Sequence, residues 1–354
     1  MKKITYLLIS FLFINCSKES STLPVEDNFV RAADMSYLPL IESENTLYYN
    51  ANSVVEDPLV TLKKAGCTTI RIRLWKNPID SHCGYNEVLN FSQRIKQAGL
   101  KVWLCIHYSD TWADPGTQTT PQEWENLNYS ELKTAFLNYT SMVVNEIKPD
   151  IVQIGNEVNN GFMWPKGNLY SNENQFIELI NAATNRIKTE VPNTKILIHY
   201  AGIDANTLVF FNKLNTINYD YIGLSYYPIW HGKNIIDLKN RINNLGELFN
   251  KKVIVAETSY PFTLNYNDFT NNIVGLNNQL IPDFPATEQG QKDYLMAIKN
   301  TVKTSNYGMG FCYWGTEWVA FRGQQSTNGS PYENQSLWDF NNKVLPALSV
   351  FNKN

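Results

Sequence analysis

The chain has 354 residues, 43% of them hydrophobic and 18% charged, enough apolar material for a large core and too much for a disordered chain. Thirty basic residues face 33 acidic ones, a net charge of −3. That balance provides neither a basic footprint for nucleic acid nor a polybasic membrane patch. Aromatic residues make up 13%, with 9 Trp and 20 Tyr, a surplus that suits stacking against flat, weakly polar ligands such as sugar rings.

The N-terminus reads as an export signal. Lys2 and Lys3 precede an apolar run from Ile4 to Ile14, too short to span a membrane. Cys16 follows Asn15 where a bacterial lipoprotein signal is cut and its cysteine acylated, so residues 1–15 are expected to leave and Cys16 to carry a lipid anchor at the cell surface. Residues 16–28 are polar and read as a flexible tether, leaving 29–354 as one domain. Four further cysteines, Cys67, Cys83, Cys105 and Cys312, show no CxxC spacing, which disfavours zinc. An exported chain permits a disulfide, but the sequence assigns none.

From residue 29 onward, short apolar runs alternate with helical patterns. Strands are expected near 29–37, 68–75, 101–109, 151–157, 195–201, 220–228, 252–260 and 308–318. Helices are expected near 54–65, 87–98, 130–147, 173–190, 205–216, 235–250, 288–304 and 342–352. Several runs are nearly continuous in Ile, Val and Leu, as strands buried on both faces should be. Eight βα units predict a single-domain (β/α)8 TIM barrel of the α/β class. A doubly wound sheet is the alternative, weakened because no glycine-rich phosphate loop follows the first strand.

In such a barrel the C-terminal ends of the strands form the active face. Polar and aromatic residues gather there: Arg71, His107, Asp110, Asn156, Tyr226, Tyr227, Trp314, Glu317 and Trp318. Glu157 closes the fourth run and Glu257 the seventh, each after an apolar stretch where a carboxylate is costly unless paired or used. Two such groups about 5 Å apart suit double displacement at a glycosidic bond, whereas a gap near 6.5–9.5 Å admits a water for inversion. Asn156 is placed to hold a sugar hydroxyl. Tyr226 is expected to hydrogen-bond Glu257 and, with Arg71, to keep it ionised in the low carboxylate range, while Glu157 needs a raised pKa.

At these residues the chain resembles glycoside hydrolase family 53, the endo-β-1,4-galactanases, from about Arg31 to Asp339. HYSDTWADPG at 107–116, VQIGNEVNNGFMWP at 152–165, IGLSYYPIWHG at 222–232, AETSYPF at 256–262 and YWGTEW at 313–318 carry the likeness. The resemblance implies a retaining endo-glycosidase acting on β-1,4-galactan side chains of pectin. It implies Glu157 as general acid/base and Glu257 as nucleophile. It also implies a groove lined by Arg71, His107, Asp110, Trp112, Asn156, Tyr226, Trp230, His231 and Trp314. A related barrel enzyme such as a mannanase or cellulase is what the fold and carboxylates alone leave open. No cofactor or catalytic metal is implied. Some bacterial relatives carry an acidic calcium loop after the seventh strand. Here that stretch, 262–275, holds Asp268 as its sole acid, so a structural calcium is left open. A monomer suffices.

Overall fold

A computed structural model describes residue 1 and residues 28–353. The expected signal, Cys16 and nearly all of the tether lie outside the described residues. Eight parallel strands close into a barrel in sequence order, with β1 (Val30–Asp34) pairing both β2 (Thr69–Leu74) and β8 (Gly308–Tyr313). Between them run β3 (Lys101–Ile106), β4 (Ile151–Ile154), β5 (Lys195–Ala201), β6 (Tyr221–Ser225) and β7 (Lys252–Thr258). Every pairing is parallel, which requires a crossover after each strand.

The crossovers follow the expected helical patterns, with local chemistry trimming their ends. A short α1 (Leu38–Ser43) precedes α2 (Pro58–Ala65), which starts late because the Asp57 side chain accepts the Leu59 amide and Pro58 cannot continue a helix backward. Then come α3 (Tyr85–Gln97), α4 (Tyr129–Ile147), α5 (Glu173–Glu190), α6 (Asn206–Lys213), α7 (Pro228–His231), α8 (Ile235–Phe249) and α9 (Glu288–Lys303). A capping box of Asn128 and Glu131 opens α4. The helix expected at 342–352 is instead a 3-10 turn over Pro346–Phe351, which packs its apolar residues against α9.

Two cores result from the period-2 alternation of the strands. The larger one lies between the strands and the helices. The smaller fills the barrel itself: Val30, Ala32, Trp103, Ile151, Leu197, Ile254, Ala256 and Cys312. These apolar side chains plug the barrel, so chemistry is confined to its C-terminal mouth. Cys67, Cys83, Cys105 and Cys312 are all buried free thiols. Among the described residues no helix is long and apolar enough to cross a membrane.

Candidate active site

Arg71 organises the mouth. It points inward from β2 and is almost fully buried. Its Nη1 donates to Asp34 Oδ2 at 2.7 Å, and its Nη2 to Glu257 Oε1 at 2.7 Å and Asn156 Oδ1 at 2.9 Å. Its Nε donates to Gln153 Oε1 at 3.2 Å. Four strands are tied to one guanidinium, whose planar fork suits several acceptors at once. A charge this deep is tolerable only because Asp34 and Glu257 neutralise it.

Local backbone geometry aims both glutamates. In β7 the pairing with β6 skips from Leu224↔Val255 to Ser225↔Glu257, leaving Ala256 as an extra residue. Plain alternation would turn Glu257 outward when Ala256 faces the barrel. The bulge lets both face inward. Glu157 lies beyond the end of its strand, because β4 stops at Ile154. Gly155 at φ +73 and Glu157 at φ +46 are both left-handed. A Cβ at Gly155 would sit 2.4 Å from Val158 Cγ1, so only glycine permits this turn. The left-handed Glu157 is a non-glycine in a sparsely populated region, a strained placement of the kind that gathers at working sites.

One carboxylate oxygen of Glu157, one of Glu257 and a ring nitrogen of His199 all lie within 4.8 Å of one another. Ser225 Oγ donates to Glu157 Oε1 and sits 3.0 Å from His199 Nε2. Burial and the neighbouring Glu257 charge push Glu157 up to about 8. Burial raises Glu257 as well, against the low value expected from sequence. Arg71 and the Tyr227 hydroxyl, which donates to Glu257 Oε2 at 3.0 Å, pull it back. The pair's shared proton therefore rests on Glu157, which has no ion-pair partner among the described residues, whereas Glu257 is paired with Arg71.

The expected Tyr226–Glu257 hydrogen bond is corrected to Tyr227. Tyr226 points behind the sheet and donates to the Gly232 carbonyl at 2.9 Å. Adjacent residues in an extended segment face opposite sides, and the register puts Tyr227 inside.

A groove of about 500 Å3 opens above the carboxylates. Trp112, Asn156, Trp230, His231 and Trp314 line it, as expected from sequence, together with Asp114, Tyr227, Trp318 and Tyr332. Asn156 gives one amide hydrogen to Ala113 O at 2.9 Å and keeps the second. His107 and Asp110 do not line it. His107 is buried and neutral, its pKa lowered by burial and by Arg73, and its Nδ1 accepts the Ala113 amide at 3.2 Å. Asp110 accepts the amides of Asn77 at 2.9 Å and Gln122 at 2.8 Å. Both shape the loop that carries Trp112. The Arg73 guanidinium lies 3.9 Å from the Trp112 ring centroid and pins that ring. Glu317 is buried, accepts the Tyr37 amide at 2.6 Å and is pushed up to about 8 by burial and Asp34. Sequence reasoning missed Asp34, Gln153, His199, Ser225 and Tyr332. Strand alternation alone could have placed the first four inside the barrel.

The loop after β7 is joined by an acid from outside its own stretch. Glu333 Oε1 accepts the amides of Asn267 at 2.6 Å and Asp268 at 3.4 Å. Asp268 Oδ2, Asn272 Oδ1, Glu333 Oε2 and Asn334 Oδ1 are buried oxygens without hydrogen-bond partners among the described residues. Oxygen donors left unpaired in this way fit a hard cation such as calcium. Glu333, 65 positions from Asp268, supplies the second acid that the loop sequence lacks.

A parallel eight-stranded barrel with two facing glutamates in an aromatic groove defines the class of barrel glycosidases. The model of Glycosyl hydrolase family 53 matches residues 30–351, and the chain belongs to that family. It is 33% identical to an arabinogalactan endo-beta-1,4-galactanase of Cellvibrio japonicus, covering 92% of each chain. It is 30% identical to an endo-beta-1,4-galactanase of Bacillus subtilis over 92% of this chain and 85% of that one. Among solved structures, the family 53 catalytic domain of Ignisphaera aggregans superposes with a TM-score of 0.87 at 36% identity, covering 93% of this chain and 97% of that one.

Proposed function

We propose that this glycosidase is an endo-acting, retaining β-1,4-galactanase in which Glu257 is the nucleophile and Glu157 the general acid/base. The observation that carries the mechanism is the approach of the two carboxylates to within 4.8 Å. That spacing suits direct attack and leaves no room for an intervening nucleophilic water. Substrate choice rests on the relatives named as galactanases.

A Glu257 carboxylate oxygen attacks the anomeric carbon as the bond to the leaving oxygen breaks, and Glu157 gives that oxygen its proton. Water then enters where the leaving group was, loses a proton to Glu157 and attacks the anomeric carbon, and the Glu257 ester bond breaks. Arg71 and Tyr227 hold Glu257 in position and favour its anion. Asn156 lines the groove, and its second amide hydrogen is a donor for a sugar hydroxyl. Trp112, Trp230 and Trp314 offer faces for pyranose rings. Asp268 and Glu333 would hold a structural calcium that ties the loop after β7 to the loop after β8. Cys16 would carry a lipid that anchors the exported enzyme to the bacterial membrane.

The test uses Glu157→Gln and Glu257→Gln on galactan, mannan and cellulose. Wild type is expected to release oligosaccharides from galactan, and each variant to lose at least ~10²-fold in rate while still binding it. NMR of the first product should show the β anomer. Wild-type rates in both variants, or an α first product, would reject the scheme.

A further inference from the structure

We infer that the leaving portion of the polysaccharide runs into a second groove, between the loop after β5 and helix α8, where its galactosyl units are held by Asp204, Asp237, Asn240 and Arg241. This rests on the reading of the site as a galactanase and extends it from the bond broken to the path of the chain.

The direction follows from the acid. The leaving oxygen must lie beside the group that protonates it, so the departing sugars start at Glu157. Glu157 is held by Ser225 at the end of β6, beside His199 of β5. The departing chain therefore crosses the β5–β6 side of the mouth. A groove of about 400 Å3 lies on that side, and it shares Trp230 and His231 with the catalytic groove. Gly202 comes close to residues of the second groove. A Cβ there would stand 3.3 Å from His231 Cδ2 and 3.5 Å from Asp204 Oδ2.

The lining matches a neutral polyol. Trp230 is 54% exposed, an unusual state for a tryptophan and a ready platform for a sugar face. His231 Nδ1 accepts the Tyr227 amide at 3.0 Å, and burial lowers its pKa to about 4, so the neutral ring carries its hydrogen on Nε2, a donor on a residue that lines both grooves. Arg241 uses Nε on the Ile203 carbonyl at 2.8 Å, which orients its remaining N–H groups. Asp204 and Asp237 supply acceptors and Asn240 supplies both kinds of group. Hydroxyls that both donate and accept are served by such a mixture. Two carboxylates against one guanidinium disfavour an acidic uronate chain.

The experiment compares wild type with the double variant Asp237→Ala/Asn240→Ala, two exposed positions on α8. Three readouts are taken: kcat/KM on galactan, the bond cut in reducing-end-labelled galactohexaose, and kcat/KM on nitrophenyl β-galactobioside, whose leaving group is too short to reach the second groove. The expected result is a fall of about tenfold on galactan, as for one or two lost hydrogen bonds. The cut should move toward the reducing end, and the nitrophenyl substrate should react at the wild-type rate. Unchanged galactan kinetics and cut position overturn the inference, as does an equal fall on both substrates. A wild type that leaves galactan intact overturns the galactanase reading, and the galactosyl occupant with it, before any variant is compared.

Discussion

Replacing Tyr227 by Phe removes one hydroxyl and tests the electrostatics of the site directly. That hydroxyl donates to Glu257 Oε2 at 3.0 Å, between two side chains that are both buried. A hydrogen bond to a charged group contributes about 1.5–3 kcal/mol. The bond favours the anion, so its loss makes Glu257 easier to protonate. At 1.36 kcal/mol per pH unit, the shift is about 1–2 units upward. The assay is kcat/KM on soluble galactan, read as reducing ends from pH 4 to 10. In wild type the acid limb reports protonation of Glu257 and the alkaline limb, near pH 8, loss of the Glu157 proton. In Tyr227→Phe the acid limb should move up by about 1–2 units, with the alkaline limb in place because Glu257 is ionised there in both enzymes. Tyr226→Phe, which loses only the bond to Gly232 O, should leave the acid limb where it is. An unmoved limb in Tyr227→Phe, or equal movement in both variants, would refute the reasoning.

Glu317 should make the fold weaker at high pH. Its pKa rises from the ordinary 4.5 to about 8 on folding, so its contribution is full below 4.5 and is lost as pH climbs through 8. Glu317→Gln should therefore flatten the fall in Tm between pH 6 and 9, a difference on the order of a few kcal/mol; an equally steep fall in the variant would count against it. Chelation with EDTA should lower Tm if calcium sits at Asp268 and Glu333, and Asp268→Asn should abolish that sensitivity; a Tm indifferent to EDTA and to added calcium would dismiss the ion. Cys16→Ala should release the protein from the membrane fraction, and continued sedimentation with membranes would point to another anchor.

Much of this architecture is local and hence visible in one dimension. The apolar runs and the helical patterns between them depend on residues a few positions apart, so the eight βα units and their closure into a barrel could be read from the chain. So could Glu157 and Glu257, because a carboxylate after an apolar strand is costly wherever the strand goes. The tertiary structure decided what depends on pairing across the sheet. The bulge at Ala256 turns Glu257 inward, and the register with β6 chooses Tyr227 over Tyr226. Arg71 collects Asp34, Gln153, Asn156 and Glu257 from three other strands or the loops at their ends. Glu333 meets Asp268 across two loops. His107 and Asp110 carry the right chemistry for a sugar site, but the folded loop consumes their polar atoms on its own amides. A sequence fixes which polar groups exist; which of them are left over for a ligand is known only after the backbone has taken its share.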